Sequence, residues 1–509
     1  MDKLILVPIL LPMVAGIGLL GSAFLEYIRA AKRRNAGNHT GYAPAEGNLR
    51  TVHLLTLVVL LVSAAAALYI AWTKERSIML FYLMKDIPIY FHIDDVGRLF
   101  VTIVSIVWVA AGIYSFRYME HEGEEKRYFG CYLMVYGILV ALDFSGNLVT
   151  MYFFYELMTL ASVPLVLHNG SREAIMAALK YLFYSMCGAY MGLFGIFFLY
   201  RYCDTLTFVG GGTLNKILVQ GNEKILLIAV FAMIIGFGIK AGMFPLHAWL
   251  PAAHPVAPAP ASAVLSGIIV KSGVLALIRT VYYIVGPEFI RGTWVQKVWM
   301  ILSLVTIFMG SMLAYGEPVF KKRLAYSTVS QISYILFGLA LLTPSAFEGA
   351  LLHTVFHAFV KCALFLTAGI FIFRTGKTRV EDYAGIGKKM PVTLWCYTIA
   401  SLALIGIPPA SGFVSKWYLA QGALESDTGI FCYLGPVVLL ISALLTAGYL
   451  LPVTMKGFFP GKEECSYEKT EPNPEMLLPL AVLAGLGLLL GIFPNLLIEF
   501  VRRIAAAVM

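Results

Sequence analysis

The chain has 509 residues, 59% of them hydrophobic and only 13% charged, with a mean hydropathy of +0.80 and a formal net charge of +9. A soluble chain of this length needs a far more polar surface, so the composition excludes a soluble globular fold and points to an all-α polytopic membrane protein. The positive balance does not read as nucleic-acid binding, because the basic residues cluster in short loops, as the positive-inside rule expects.

Apolar runs of ~20 residues, the length a bilayer span needs, predict about fourteen transmembrane helices. They fall near 4–28, 51–72, 98–116, 128–144, 147–167, 174–200, 224–245, 258–285, 296–315, 323–342, 347–373, 392–418, 431–455 and 476–499. The start, MDKLILVPILLPMVAGIGLL, has no basic n-region and no clear cleavage site, and reads as a retained first span. Basic residues follow span one (Arg29, Lys32, Arg33, Arg34, Arg50), span nine (Lys321, Lys322, Arg323) and span eleven (Arg374, Lys377, Arg379, Lys388, Lys389). These loops fall on one side, read as cytoplasmic, which puts both termini outward. Lys74, Arg76 and Lys85, after span two, are fewer than the basic residues after span one or span eleven and do not overturn that orientation. The longest polar stretches, 29–50, 74–95 and 456–475, are too short for a soluble domain, so residues 1–509 read as a single membrane domain.

Two spans are interrupted. Span seven is broken after Lys240 by Gly242 and Pro245. Span twelve is broken by Gly406, Pro408, Pro409 and Gly412, and then carries Lys416. Paired broken helices in two halves of a chain point to an ion site, because unwound backbone at membrane depth is tolerated only inside protein or beside a wet cavity. The seven cysteines include no CxxC pair, so neither zinc nor an iron–sulfur cluster is expected, and the chain shows no redox site, cofactor or metal site of its own. Gly210–Gly212 lack the lysine of a phosphate loop, and the spacing of Gly236, Gly238 and Gly242 does not match a dinucleotide fingerprint.

Charges inside apolar runs carry the functional reading. An ammonium at membrane depth costs roughly 2.5–3.5 kcal/mol on insertion scales, so its default reading is an ion or proton path. Glu156 stands alone in LVTMYFFYELMTLASVPLVL. It reads as the partner of a buried lysine, against the plainer reading of a carboxylate reaching water. Lys240 and Lys271 lie well inside their runs, where snorkelling is disfavoured. Lys240 and Glu156 would suffice for a switch if the fold brings them together. His353, His357 and Lys361 recur at i, i+4 and i+8 on one helical face. The spacing also suits a metal, but no HExxH glutamate accompanies it; a proton relay is the better reading, with packing histidines as the alternative. Ser327, Ser330, Gln331 and Ser333 extend a wet path or glue helices together. His247 and His254 flank the bridge after span seven and are candidates for gating proton uptake, equally with a role in bonding the loop. Lys180 is a weaker gating candidate, since it can snorkel. Asp143, Arg201 and Arg279 lie near span ends and read as structural.

The segments GIKAGMFPLHAWLPAAHPVAPAPASAVLSGIIVK, LAYSTVSQISY, HTVFHAFVKCALFLTAG and GIPPASGFVSK, in that order, resemble the antiporter-like subunits. That family is shared by respiratory complex I, Mrp-type sodium/proton antiporters and membrane-bound hydrogenases of the complex I lineage. The resemblance runs over nearly all of the chain. It implies fourteen helices with inverted repeats at spans four to eight (128–285) and nine to thirteen (296–455), preceded by spans one to three (1–127) and followed by a loop and span fourteen (456–509). It also implies that Glu156, Lys240, Lys271, His353, His357, Lys361 and Lys416 are the family's proton-path residues. Two departures stand out. Ala252 occupies a place where related versions carry an acid, and Lys416 one where complex I members carry glutamate. The chain stops soon after span fourteen, so a long lateral helix is not expected; a mid-sized member, Mrp D-type or hydrogenase-type, fits.

The expectation is a proton-translocating membrane subunit in a prokaryotic-type cell membrane, with other membrane subunits as partners and no nucleic acid. It belongs either to a cation/proton antiporter or to a redox pump such as a hydrogenase or quinone reductase. In the second case iron–sulfur or nickel–iron partners hold the redox groups. Sodium crosses either here or in a partner. A stand-alone channel is the third alternative, and charges spread over so many spans fit it poorly.

Overall fold

The computed structural model describes residues 2–35, 46–73, 76–84, 87–461 and 471–509. Lys74, Lys85 and Cys465, and the side chains of Lys32, Arg33 and Arg34, lie outside that set. In chain order the helices that matter here are α1 (Val7–Asn35), α2 (Glu46–Thr73), α3 (Asp95–Glu122), α4 (Glu125–Asp143), α5 (Leu148–Val166), α6 (Arg172–Tyr202), α7 (Glu223–Lys240), α8 (Leu250–Val256), α9 (Ala259–Val285), α10 (Trp294–Gly316), α11 (Phe320–Leu341), α12 (Pro344–Thr375), α13 (Pro391–Ile405), α14 (Ser411–Leu424), α15 (Phe431–Phe458), α16 (Pro474–Ile492) and α17 (Asn495–Val508). Among the described residues, eleven helices are long and apolar enough to cross a membrane. α4, α7 and α13 also stand where spans are expected. The first two carry charged residues at their ends, and α13 is only 15 residues long.

Burial sorts these helices. The most apolar stretch of α9 is 100% buried inside the chain and those of α11 and α12 are 94% buried, against 33% for α1, α15 and α16. The helices that carry Lys271, Ser327, His353, His357 and Lys361 are therefore the innermost ones. α9 is irregular: π-helical turns occupy Leu265–Ile269 and Arg279–Val285, on either side of a regular α segment that begins at Lys271. Such turns free backbone carbonyls from the normal ladder and occur often at functional sites.

Both predicted breaks are present. α7 ends at Lys240, Gly242 takes φ +80°, and the chain re-enters a helix only at Leu250. α13 ends at Ile405, Gly406 takes φ +91°, and α14 starts at Ser411. In both turns the left-handed backbone favours glycine, which has no Cβ to clash.

Two sequence expectations need correction. The fold is not purely α-helical: β1 (Ser77–Met84) pairs antiparallel with β2 (Ile87–His92) inside the stretch read as a polar loop. The apolar runs SIMLFYLM and IPIYFH are too short to span, and they hydrogen-bond to each other instead. β2 is sewn to the α4–α5 turn, where the Gly146 N–H donates to the Tyr90 carbonyl at 2.9 Å and the His92 N–H to the Phe144 carbonyl at 2.8 Å. The expected last span, 476–499, ends early at Ile492. Pro494 biases Phe493 out of the helical region, and α17 then runs as a separate amphipathic helix burying Phe500, Val501, Ile504 and Ala505.

The two ends of the bundle are distinct. At one end the loops after α10 and α12 touch, with the Phe320 N–H donating to the Thr378 carbonyl at 2.9 Å. There too Arg127 donates to the His168 carbonyl at 2.5 Å, and Lys321 to the Pro255 carbonyl at 3.3 Å. The hairpin lies at the other end, with the Gly211–Thr213 loop closing over the C-terminus of α9: the Thr213 N–H donates to the Ile284 carbonyl at 2.8 Å.

Candidate proton pathway

Lys240 is fully buried at the last turn of α7. Its ammonium donates to Thr159 Oγ1 of α5 at 3.0 Å, and to Tyr181 Oη and Ser185 Oγ of α6 at 2.7 and 3.3 Å. Three donors thus meet three hydroxyls, the full capacity of an ammonium group. The Tyr181 ring also lies under the charge, 4.4 Å from Nζ. The freed carbonyl of Ile239 is taken by the Trp249 indole N–H at 2.9 Å, which closes the break from the other side.

Glu156 is half-buried and accepts from the Tyr152 hydroxyl at 3.1 Å. It makes no ion pair with Lys240. The expected acid–base partnership is therefore open in this structure, with hydroxyls where the carboxylate would stand.

Gly273 lets α9 approach the end of α7: a Cβ there would meet the Phe237 carbonyl at 2.6 Å and the Ala241 nitrogen at 2.9 Å. Two residues earlier, Lys271 donates to the Ser266 carbonyl, at the π-helical turn, at 3.1 Å. It also meets His357 Nδ1 of α12 at 2.7 Å. With Lys271 as donor, His357 Nδ1 is an acceptor and a neutral imidazole carries its proton on Nε2, which is buried without a hydrogen bond. The His353 ring centroid is 6.0 Å from that of His357, and its Nδ1 is 2.9 Å from Ser415 Oγ of α14. Next to Ser415, Lys416 donates to the Leu404 and Ile405 carbonyls, both at 2.8 Å, with the Tyr334 ring 5.1 Å from Nζ. Those carbonyls are exposed to a donor because α13 breaks there. One line of groups thus links α9, α12 and α14.

Lys361 branches off that line. It donates to Ser327 Oγ at 2.6 Å, and the same oxygen accepts from Tyr449 at 2.7 Å. Of the other polar residues of α11, Ser330 joins Ser311 and Ser442 in a hydroxyl cluster, Ser333 bonds back to its own helix, and both amide atoms of Gln331 are buried without a partner. His254 is fully buried, its ring stacks on Phe365 at 4.7 Å and neither ring nitrogen has a hydrogen-bond partner among the described residues, while its carbonyl accepts from the Ser262 hydroxyl at 3.0 Å. His247 and Lys180 are half-buried, beside Phe244 and Tyr184 respectively, and neither is among the hydrogen-bond partners of Lys240.

Residues 145–446 match the family described as NADH:quinone oxidoreductase/Mrp antiporter, TM. The chain belongs to this family. Residues 84–129 match NADH-Ubiquinone oxidoreductase (complex I), chain 5 N-terminus. An NADH-quinone oxidoreductase subunit of Desulforudis audaxviator (strain MP104C) is 33% identical over 468 residues, covering 88% of this chain and 91% of that protein. A Na(+)/H(+) antiporter subunit of Bacillus subtilis (strain 168) is 30% identical over 403 residues, covering 78% and 79%. A chain of an archaeal membrane-bound sulfane sulfur reductase superposes with a TM-score of 0.82 at 21% identity, covering 100% of this chain and 98% of that one. A chain of the Mrp complex from Dietzia sp. DQ12-45-1b gives 0.80 at 22% identity, covering 100% and 97%. The fold is therefore that of the family's antiporter-like subunits.

Several residues of this family member escaped the sequence reading. The shell of Lys240 comes from Thr159, Tyr181 and Ser185, ordinary helix residues whose only signal is a lysine in need of three acceptors. Arg279, read as structural near a span end, is 2% exposed and forms a bidentate pair with Asp94, with Nη2 to Oδ1 at 2.6 Å. Its guanidinium also lies 4.6 and 4.7 Å from the ring centroids of Phe208 and Tyr283. Asp143, read the same way, is 2% exposed, and its Oδ2 has no partner.

Proposed function

We propose that this chain is a proton-translocating subunit of a multisubunit membrane complex, and that the buried Lys/His line is the proton path. The observation that carries the reading is the contact between Lys271 and His357, which joins α9 to the relay helix α12 across the centre of the bundle. Protons load Lys240 from the cytoplasmic side, where His247, His254 and Lys180 are the candidates for gating uptake. Glu156 opposes Lys240 and closes on it in part of the cycle. The proton then passes to Lys271, His357 and His353, and leaves by Lys416, with Lys361 as a side store. The two histidine rings are too far apart for a direct hydrogen bond, so that step needs a bridging water or a ring turn. Fourteen spans, inverted repeats over 128–285 and 296–455 and outward-facing termini complete the reading.

Relatives with names as different as a quinone oxidoreductase subunit and a sodium/proton antiporter subunit support two drives for the same path. In one, a sodium gradient moves the protons. In the other, electron transfer in partners carrying iron–sulfur or nickel–iron groups does so. The charges spread over α5, α7, α9, α12 and α14 favour either over a stand-alone channel. The test is proton uptake by a pH-sensitive dye in sealed vesicles holding the purified assembly, with wild type and Lys240→Ala, with and without sodium and reductant. Uptake driven by sodium alone and lost in the variant identifies an antiporter; uptake that needs reductant and is lost identifies a redox pump. Intact uptake in the variant under both conditions sinks the path.

A further inference from the structure

We propose that the hairpin end of the bundle carries a site for one aminophospholipid, with its phosphate held by Arg502 and Arg503, its ammonium by Glu499, and one acyl chain laid in a slot between α2 and α16. The site stands apart from the proton path and does not depend on it.

The headgroup end is built by α17, which turns off α16 at Pro494 and packs its apolar face on the bundle. A Cβ on Gly210 would run into the Ala507 carbonyl, so α17 lies against the loop that closes the hairpin end. Its other face carries Glu499, Arg502 and Arg503, all exposed, on a cavity of about 660 Å³ whose lining also includes Trp72 near the end of α2. An amphipathic helix with a cationic face, beside an exposed tryptophan, suits the level of lipid headgroups. Among the described residues Arg502 pairs with Glu348 at 3.7 Å, and Arg503 rests over the Phe500 ring at 5.3 Å. Neither guanidinium makes a hydrogen bond to a described residue, so both forks are open to a phosphate, which they match in bidentate fashion. Glu499 stands one helical turn before the two arginines and pairs with neither. A purely anionic headgroup would face that carboxylate. One that bears both a phosphate and an ammonium gives all three side chains a charge-assisted partner.

The tail end continues from the same cavity. Trp72, Leu496 and Phe500 also line an apolar groove of about 270 Å³, which passes at Ile106 into a second of about 420 Å³. α2 and α16 both pack on α3, and the groove follows α3 between them from Leu99 to Ile113. At 1.5 Å per residue that stretch is about 21 Å long, more than the ~15 Å hydrocarbon depth of one leaflet. Its polar atoms are already satisfied: Thr102 accepts from the Trp72 indole at 3.1 Å, and Ser105 bonds to Tyr136 at 3.0 Å. A polar ligand finds no partner there, and a helix, about 10–12 Å across with its side chains, is too wide to enter cavities of this size. An acyl chain fits both limits. Val355 and Phe359 of α12 form part of the wall, so the chain packs on the helix that carries His353 and His357.

The test is photolabelling of the intact assembly in vesicles. The probe is phosphatidylethanolamine with a photoreactive group in one acyl chain, compared with phosphatidylglycerol carrying the same chain. The expected result is label on peptides of α3 and α16, stronger from phosphatidylethanolamine. In the double variant Arg502→Ala/Arg503→Ala that label should fall about tenfold, the worth of one charge-assisted hydrogen bond. Glu499→Gln should abolish the preference, so that the two lipids label alike. Ile106→Trp, which fills the groove and leaves the headgroup residues in place, should lose the label. Absence of label from α3 and α16 in wild type means that a partner subunit covers the slot, and overturns the proposal. Label that survives in the double arginine variant, or equal labelling of wild type by the two lipids, overturns it as well. The arginine and glutamate changes lie on an exposed face and should leave assembly intact, so they decide the matter even if Ile106→Trp does not assemble.

Discussion

Replacing Lys271 by Met separates a proton carrier from a structural lysine. The side chain is 1% exposed and its ammonium makes two hydrogen bonds, to the Ser266 carbonyl and to His357 Nδ1. Holding the charge at membrane depth costs about 2.5–3.5 kcal/mol on insertion scales. Each hydrogen bond from a charged donor returns about 1.5–3 kcal/mol. The two contributions overlap in size, so removing the charge and its bonds together changes stability little, as when other buried ions give way to apolar side chains of similar volume. Lys271→Met should therefore assemble, with its melting temperature near that of wild type. Transport is another matter, because the contact between α9 and α12 is gone, and a fall of about 100-fold is expected. Lys271→Arg sharpens the test. Arginine keeps the positive charge but does not release its proton, so it should assemble and transport as poorly as the Met variant. Dye-monitored proton uptake in sealed vesicles reads both. Transport above half the wild-type rate in assembled Lys271→Met would refute the path. Normal transport in Lys271→Arg would mean that the charge, and not its proton, is what matters.

Gly273→Leu should force α9 away from α7, since even the first carbon of the new side chain would meet the Phe237 carbonyl at 2.6 Å; an overpacking loss of about 1–3 kcal/mol is expected as a lower melting temperature. Arg279→Ala leaves Asp94 without its bidentate partner and should destabilise by about 3–5 kcal/mol, while the double variant with Asp94→Ala should recover part of that loss in a double-mutant cycle of melting temperatures. His168, in the loop after α5, gives a pH signature. Burial and then the charge of Arg127 hold its imidazole at about 4, below the ordinary 6.5, against the opposing pull of the Gly123 carbonyl that its Nε2 meets at 3.1 Å. The folded protein prefers the neutral ring, so this contribution, at most about 3 kcal/mol, is complete above the ordinary value and drains away as the pH falls toward about 4. Melting temperature measured across that window should drop more in wild type than in His168→Phe.

The sequence made the line of buried titratable residues legible because a charge in an apolar run stands out whatever the fold does around it. Lys240, Lys271, His353, His357, Lys361 and Lys416 could all be named that way, and the two breaks followed from glycine and proline. What surrounds each charge could not be read. The hydroxyls on Lys240 sit on α5 and α6, some 55 to 81 positions away in the chain, and nothing local to Thr159, Tyr181 or Ser185 marks them. Whether Glu156 and Lys240 meet could not be read either: here the Lys240 ammonium is bonded to three hydroxyls and Glu156 to Tyr152. Asp143 and Arg279 were discounted because position near a span end suggests water. The hairpin and the Gly211–Thr213 loop cover that end, and this is a tertiary fact.

The shells of the two lysines beside the breaks differ in whether their partners can also donate. Around Lys240 the acceptors are hydroxyls, and a hydroxyl can turn and donate. If Lys240 gives up its proton, Tyr181 or Ser185 can offer an O–H to the amine lone pair, so both protonation states of Lys240 find partners. Around Lys416 the acceptors are the Leu404 and Ile405 carbonyls and the face of the Tyr334 ring. None of these can donate, so the lone pair of a neutral Lys416 would find no partner among them. On the proposed path this difference suits Lys240 to passing a proton on, and leaves a neutral Lys416 without such a donor. The carbonyls that hold it exist only because α13 stops at Ile405. On the proposed path, winding the break back into helix would take those acceptors from Lys416, which would make the break at Gly406 a handle on release.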